Sequence, residues 1–155
     1  MTNQKELIEK FLGFRRIAVA GVSRNPKDFS RAVWKEFRSR GIDAIPVHPS
    51  QTAVGDVRCY AAVRDISPRV EGVLSMVSAG SVREVLNDCA MAGVPLVWLY
   101  GIRGEKDVPP DALKFCSAKG IEVIAGHCPL MFLPHTAFFH SIHGAVWKLV
   151  GLYPR

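Results

Sequence analysis

The chain has 155 residues, 48% hydrophobic and 22% charged, and Lys plus Arg outnumber Asp plus Glu to give a formal charge of +6. That length and hydrophobic share fit one domain with a buried core, and no apolar run nears the length of about 20 residues that a bilayer-spanning helix needs. The opening MTNQKELIEK lacks the apolar segment of a secretory leader, and Cys59, Cys89, Cys116 and Cys128 form no CxxC pair, so we expect a soluble cytoplasmic protein with reduced thiols rather than a zinc knuckle or disulfide framework.

The basic residues are spread along the whole chain, with no run and no aromatic interleaving. That spread argues against nucleic acid as the partner and suits a basic face serving one polyanionic small molecule.

Taken in order, Leu7, Ile8, Phe11 and Leu12 have helical spacing, and Gly13 ends that helix. Ile17-Ala18-Val19-Ala20 is too short for a helix and reads as a buried strand ending on Gly21. A polar loop with Ser23, Arg24, Asn25 and Lys27 leads into a helix over 30–40, with Val33, Trp34 and Phe37 facing inward and Gly41 as its stop. A second strand over 42–47 closes on His48-Pro49, and 57–63 is ambiguous between a strand and a helical turn. The third strand covers 72–77, its helix 81–92 with Gly93 as cap, and the fourth strand 94–100 is the most apolar run. Gly101 then permits another ligand-facing turn. A loop over 104–110, a helix over 111–119 capped by Gly120, a fifth strand over 121–125 and a turn at Gly126-His127-Cys128-Pro129 follow. A final helix over 136–150 closes the chain.

Continuous apolar strands alternating with helices predict an α/β, doubly wound, Rossmann-like domain: a five-stranded parallel sheet with helices on both faces, plus the C-terminal helix. We expect one domain over 1–155, with a core over 15–129 and a helical extension over 130–155. Ligands of such sheets sit beyond the carboxyl ends of the strands. The candidates are therefore Gly21 to Lys27, His48-Pro49, Val77-Ser78, Tyr100-Gly101 and Gly126 to Cys128.

Strand, glycine turn and helix start together form an anion-binding geometry, with amides of the first helical turn facing outward. A nicotinamide dinucleotide fingerprint requires G-x-G-x-x-G and an acidic residue ending the second strand. Here Ser23 and Pro26 replace the later glycines, and Val47-His48-Pro49 ends the strand without a carboxylate. Arg24, Lys27 and Arg31 suit a ligand richer in phosphate, such as coenzyme A with its pyrophosphate and ribose 3′-phosphate.

The run Gly21-Val22-Ser23-Arg24-Asn25-Pro26, then Ile45-Pro46-Val47-His48-Pro49, Cys59-Tyr60, Asp65-Ile66, Val97-Trp98 with Gly101, and Cys128-Pro129 resembles small stand-alone CoA-binding proteins. These are similar to the CoA-binding domain of the succinyl-CoA synthetase α subunit. The resemblance covers Arg16 to Pro129 and implies binding of CoA or an acyl-CoA on a five-stranded parallel sheet. It implies that Gly21, Val22, Ser23, Arg24, Asn25 and Ser30 hold the phosphates and that Val47, His48 and Pro49 meet the adenosine. Val77, Ser78, Tyr100 and Gly101 would line the pantetheine side. His48 stands where the family usually has Asn, and Gly126-His127 where a more polar pair is usual. Nothing in the chain matches the synthetase's second domain or phosphorylated histidine, so the resemblance does not imply ligase activity.

No Ser-His-Asp arrangement, motif-paired carboxylates or Walker loop is present, and the expected role is a binding or regulatory module rather than an enzyme. The alternatives are an NAD(P)-dependent oxidoreductase or a CoA-thiol redox enzyme using Cys128, whose pKa an imidazolium at His127 would lower. Against the latter, Cys128 also reads as a buried turn residue. His135, His140 and His143 lack a nearby carboxylate and read as packing or interface residues rather than metal ligands. In the last helix Phe138, Ile142, Ala145 and Leu149 form one apolar stripe, and Phe139, Val146 and Val150 a second, which favours a homodimer through that helix.

Overall fold

The computed structural model describes residues 3–133. The expected helix over 136–150, its two stripes, the homodimer read from them, and His135, His140 and His143 lie outside the described residues.

The first helix, α1 (Gln4–Leu12), begins at Asn3, whose side chain accepts the Lys5 amide, and buries Leu7, Ile8 and Phe11. Then come β1 (Arg16–Ala20), α2 (Phe29–Ser39), β2 (Asp43–Val47), a small hairpin of β3 (Ala53–Val54) and β4 (Val57–Arg58), and a 3-10 turn at Val63–Asp65. After these follow β5 (Gly72–Ser75), α3 (Val82–Ala92), β6 (Leu96–Tyr100), α4 (Pro110–Lys119) and β7 (Glu122–His127). The five long strands form one sheet in the order β2-β1-β5-β6-β7, with every pair parallel.

Side chains alternate across this sheet, so each strand feeds two cores. Ile17, Val19, Leu74, Leu96, Trp98 and Ile124 pack with Phe11 of α1 and Trp34 and Phe37 of α2. Ala18, Ala20, Val73, Val97, Leu99 and Ala125 pack with Leu86 and Cys89 of α3 and Ala112 and Cys116 of α4. The fold is therefore the expected Rossmann-like sheet with helices on both faces.

Both sheet edges are covered. Gln4 acts as a substitute neighbour for β7, its side chain accepting the Ala125 amide at 2.9 Å and donating to the Val123 carbonyl at 2.9 Å. At the other edge β2 tolerates Pro46, as edge strands do. Tyr60 pairs there, donating its amide to Pro46 and accepting the His48 amide.

Several boundaries differ from the sequence reading. The ambiguous stretch 57–63 contains both outcomes, strand β4 and the start of the 3-10 turn. β5 ends at Ser75 and β6 begins at Leu96, just after Pro95, which has no amide to donate. The expected loop over 104–110 contains a 3-10 turn, Gly104–Asp107. Gly126 and His127 belong to β7 rather than to a turn, and the register skips Gly126 so that Tyr100 faces His127. The reason is steric: Gly126 has φ +75°, and a Cβ there would lie 1.8 Å from the Gly104 carbonyl oxygen.

Candidate functional site

The chain order reverses between β1 and β5, and open α/β sheets leave a crevice at such a point. A cavity of about 550 Å³ occupies it, a size typical of small-molecule sites. Ala20 and Gly21 form the β1 side, Val47, His48, Pro49 and Gln51 the β2 side, and Met76, Val77 and Ser78 the β5 side. Residues 61–64, Ser81 just before α3, and Glu84 and Asp88 on α3 complete the wall.

Gly21 lets the ends of β1 and β5 approach. Its φ is +91°, and a Cβ would sit 2.9 Å from the Met76 carbonyl carbon. The following loop is held by its own side chains. Ser23 donates its amide to Ser30 Oγ at 2.9 Å, Asn25 its amide to Ser23 Oγ at 3.1 Å, and Lys27 its amide to Asn25 Oδ1 at 3.0 Å.

Two expectations about this loop are corrected. The start of α2 is not a set of open amides, because the Asp28 carboxylate caps it, accepting from the Ser30 amide at 2.9 Å and the Ser30 hydroxyl at 2.6 Å. Those two bonds hold the Asp28 carboxyl below its usual pKa. Arg31 is not a free phosphate ligand either. It is 7% exposed and donates from Nη1 to the carbonyls of Ser23 at 3.2 Å and Arg24 at 3.1 Å. Its guanidinium also lies 5.5 Å from the Trp34 ring centre.

The predicted residues separate into three groups. Gly21, Ser23, Val47, His48, Pro49, Val77 and Ser78 line the cavity together. Arg24, Asn25 and Lys27 are exposed on the adjoining loop, Ser30 is buried beneath it, and the Val22 side chain is wholly buried in the core. Tyr100 lines a second cavity of about 50 Å³ that shares Val77 with the first. Gly101 lines neither; a Cβ there would meet Asp107 Cβ at 2.7 Å and Gly126 Cα at 2.8 Å, so its missing side chain serves internal packing.

Within the larger cavity, His48 Nδ1 accepts the Ser50 amide at 3.1 Å. That bond puts the proton of the neutral ring on Nε2, a donor. Gln51 points its amide nitrogen at the Val22 carbonyl, 3.5 Å away, and its buried Oε1 has no partner among the described residues. Asp88, 8% exposed, accepts the amides of Val63 and Arg64. It thereby holds the Val63–Asp65 turn, and the cavity wall, against α3.

Sequence reasoning missed Gln51, Asp88 and residues 61–64. Gln51 sits two positions after His48-Pro49, which is a weak positional signal. Asp88 offered none, since an acid in a helix reads as solvated until the fold brings residue 63 to it.

The redox alternative requires a reachable thiol beside an imidazolium. Cys128 is fully buried, and burial pushes its thiol from 9.0 up to about 11, despite hydrogen bonds from the Leu130 and Met131 amides and Tyr100 that act the other way. Burial also lowers the His127 pKa, which disfavours the imidazolium the idea requires. Among the described residues no group of three or more His, Cys, Asp or Glu is placed to hold a metal ion. No helix there is long and apolar enough to cross a membrane.

Known proteins share this fold. The chain is 26% identical over 129 residues to the Acetate--CoA ligase [ADP-forming] II subunit alpha of Pyrococcus furiosus, covering 79% of this chain but 28% of that protein. Among solved structures it resembles a hypothetical protein from Pyrococcus horikoshii OT3, with TM-score 0.72, 24% identity and coverage of 83% of this chain and 87% of that one. It also resembles a dinucleotide-forming acetyl-coenzyme A synthetase 1 from Ca. Korarchaeum cryptofilum, with TM-score 0.65 and 22% identity, covering 77% of this chain and 27% of that one. At these identities the structural likenesses speak for the fold. Residues 15–134 match the family model described as the CoA binding domain, and a match over that much of the sequence means that the chain belongs to the CoA binding domain family.

Proposed function

We propose that this protein binds coenzyme A, free or acylated, in the cavity at the ends of β1, β2 and β5, and that it acts as a binding or regulatory module. The observation that carries this reading is the convergence of Gly21, Ser23, Val47, His48, Pro49, Val77 and Ser78, drawn from three loops, on one cavity of about 550 Å³. In this arrangement the pyrophosphate lies along the loop from Gly21 to Asn25, beside the exposed Arg24 and Lys27. The adenosine lies over Val47-His48-Pro49, where the His48 Nε2–H and the Gln51 Oε1 offer a donor and an acceptor. The pantetheine arm runs past Val77 and Ser78 toward Tyr100.

Because Asp28 caps α2 and the amides of Ser23, Asn25 and Lys27 already donate within the loop, phosphate affinity in this reading comes from the flanking cations Arg24 and Lys27 more than from the helix dipole. The missing carboxylate after β2 and the absent glycines favour CoA over a nicotinamide dinucleotide. Calorimetric titration with CoA, dephospho-CoA, NAD and NADP tests it. One CoA per chain, weaker binding of dephospho-CoA and no binding of NAD or NADP are expected. NADP saturating the protein while CoA fails to bind would overturn the reading.

A further inference from the structure

The second, smaller cavity has a composition of its own. Its lining is apolar at Val77, Ala79, Val82, Leu99, Val108 and Pro109, with polar groups only at Ser75, Tyr100 and Asp107. The Asp107 carboxylate is already engaged: Oδ2 accepts the amides of Ile102 and Arg103, and Oδ1 accepts Arg103 Nε. The Tyr100 hydroxyl lies against the Cys128 thiol. That leaves the Ser75 hydroxyl, which is buried within a residue only 3% exposed and has no hydrogen-bond partner among the described residues. Buried hydroxyls without partners are rare in folded proteins and call for an explanation.

Ser75 also stands where the two cavities meet. It is in register with Ala20 of β1 on one side and with Leu99 of β6 on the other. Ala20 lines the larger cavity, Leu99 the smaller one, and Val77 lines both. A ligand arm running along the ends of the strands past Val77 therefore arrives at Ser75.

We propose that this small cavity is an acyl subsite, which takes the end of a short, uncharged acyl-CoA with the Ser75 hydroxyl donating to the thioester carbonyl oxygen. The proposal rests on the reading that the larger cavity holds CoA, and it adds the class of ligand. One donor in an otherwise apolar hollow matches one carbonyl attached to a short alkyl group. The volume of about 50 Å³ has room for about three or four water-sized spheres, which suits the three heavy atoms of an acetyl group and excludes a medium chain. A carboxylated acyl group would face the Asp107 carboxylate, whose partner Arg103 is already bonded to it. Such a ligand is disfavoured by the unpaired charge it would bring into the hollow.

The test is calorimetric titration of the full chain with CoA, acetyl-CoA, hexanoyl-CoA and malonyl-CoA, repeated on Ser75→Ala and Ala79→Leu. Ser75→Ala removes only the unpaired hydroxyl. Ala79→Leu fills the hollow from an exposed position, so neither variant burdens the core. The wild type is expected to bind acetyl-CoA about fivefold or more tighter than CoA, since a buried donor gains its first partner, and to bind hexanoyl-CoA and malonyl-CoA more weakly than acetyl-CoA. Both variants should keep CoA affinity and lose the preference for acetyl-CoA. Equal affinity for CoA and acetyl-CoA, or a preference that survives Ser75→Ala, overturns the subsite while leaving CoA binding intact. Failure of CoA itself to bind overturns the reading of the larger cavity and the subsite with it.

Discussion

The Arg31 guanidinium donates to the main-chain oxygen of Ser23 at 3.2 Å, from one turn into α2 back to the loop that precedes it. A cation that the sequence offered to the ligand thus shapes the loop that would receive it. Arg31→Ala is predicted to lower stability by about 1–3 kcal/mol, because two carbonyls lose a charged donor, and to weaken CoA binding at least about tenfold through loss of loop order. Arg31→Lys should restore little of either, since an ammonium lacks the planar fork and stacks less well on Trp34. Chemical denaturation and calorimetry on the three proteins check this.

Asp28 sits where the phosphates were expected to find a helix dipole. Its folded pKa lies below the usual 3.8. The contribution of its charged form to stability is therefore present above pH 3.8 and is lost as pH falls through the lower folded value. Asp28→Ala is predicted to lower stability at neutral pH by about 1 kcal/mol through loss of the cap. Asp28→Asn, which keeps a capping oxygen, should cost less, flatten the acid limb of the stability curve and bind CoA at least as tightly as the wild type, because a negative charge beside the phosphates is gone. Denaturation between about pH 2 and 7, with a titration at neutral pH, reads all three effects.

The glycines make a graded pair of predictions. Gly21→Ala places a Cβ 2.9 Å from the Met76 carbonyl carbon at a positive φ, and it is expected to cost about 1–3 kcal/mol and to displace the loop. Gly126→Ala places a Cβ 1.8 Å from the Gly104 oxygen, a distance no local adjustment relieves. It is predicted to cost more than Gly21→Ala, enough to prevent accumulation of folded protein. Thermal melts and soluble yield distinguish the two.

Cys128 is predicted to be inert in the native protein. Burial raises its folded pKa from 9.0 to about 11, so the stabilising contribution of the neutral thiol is full below 9.0 and is lost as pH rises toward the folded value. Incubation with oxidised CoA at about pH 8 should give no mixed disulfide by mass spectrometry until the protein is unfolded. A rapid adduct on the folded protein would contradict the buried thiol.

The parallel sheet and the helices on both its faces were legible because the apolar runs at 17–20 and 96–99 are continuous and the helices between the strands carry clear apolar faces. The misreadings of Gly126, Asp88 and Arg31 share one physical source: each role is set by a contact that spacing does not show. Gly126 looks like a turn residue, but it is a glycine because Gly104 approaches from another segment. Asp88 looks solvated, but it caps a turn 25 positions earlier. Arg31 looks like a ligand cation because a sequence does not show that its own loop carbonyls lie within reach. Spacing reveals periodic burial, whereas these three roles depend on contacts that exist only after the sheet has formed.

The central claim is that a CoA-class nucleotide occupies the crevice between the ends of β1 and β5. A crystal structure of the protein soaked in CoA tests it most directly. The account predicts density for the pyrophosphate along Gly21 to Asn25, the adenosine over His48-Pro49 and the thiol end near Ser75 and Tyr100. A crevice that stays free of CoA at saturating concentration, or that takes NADP in its place, would contradict it.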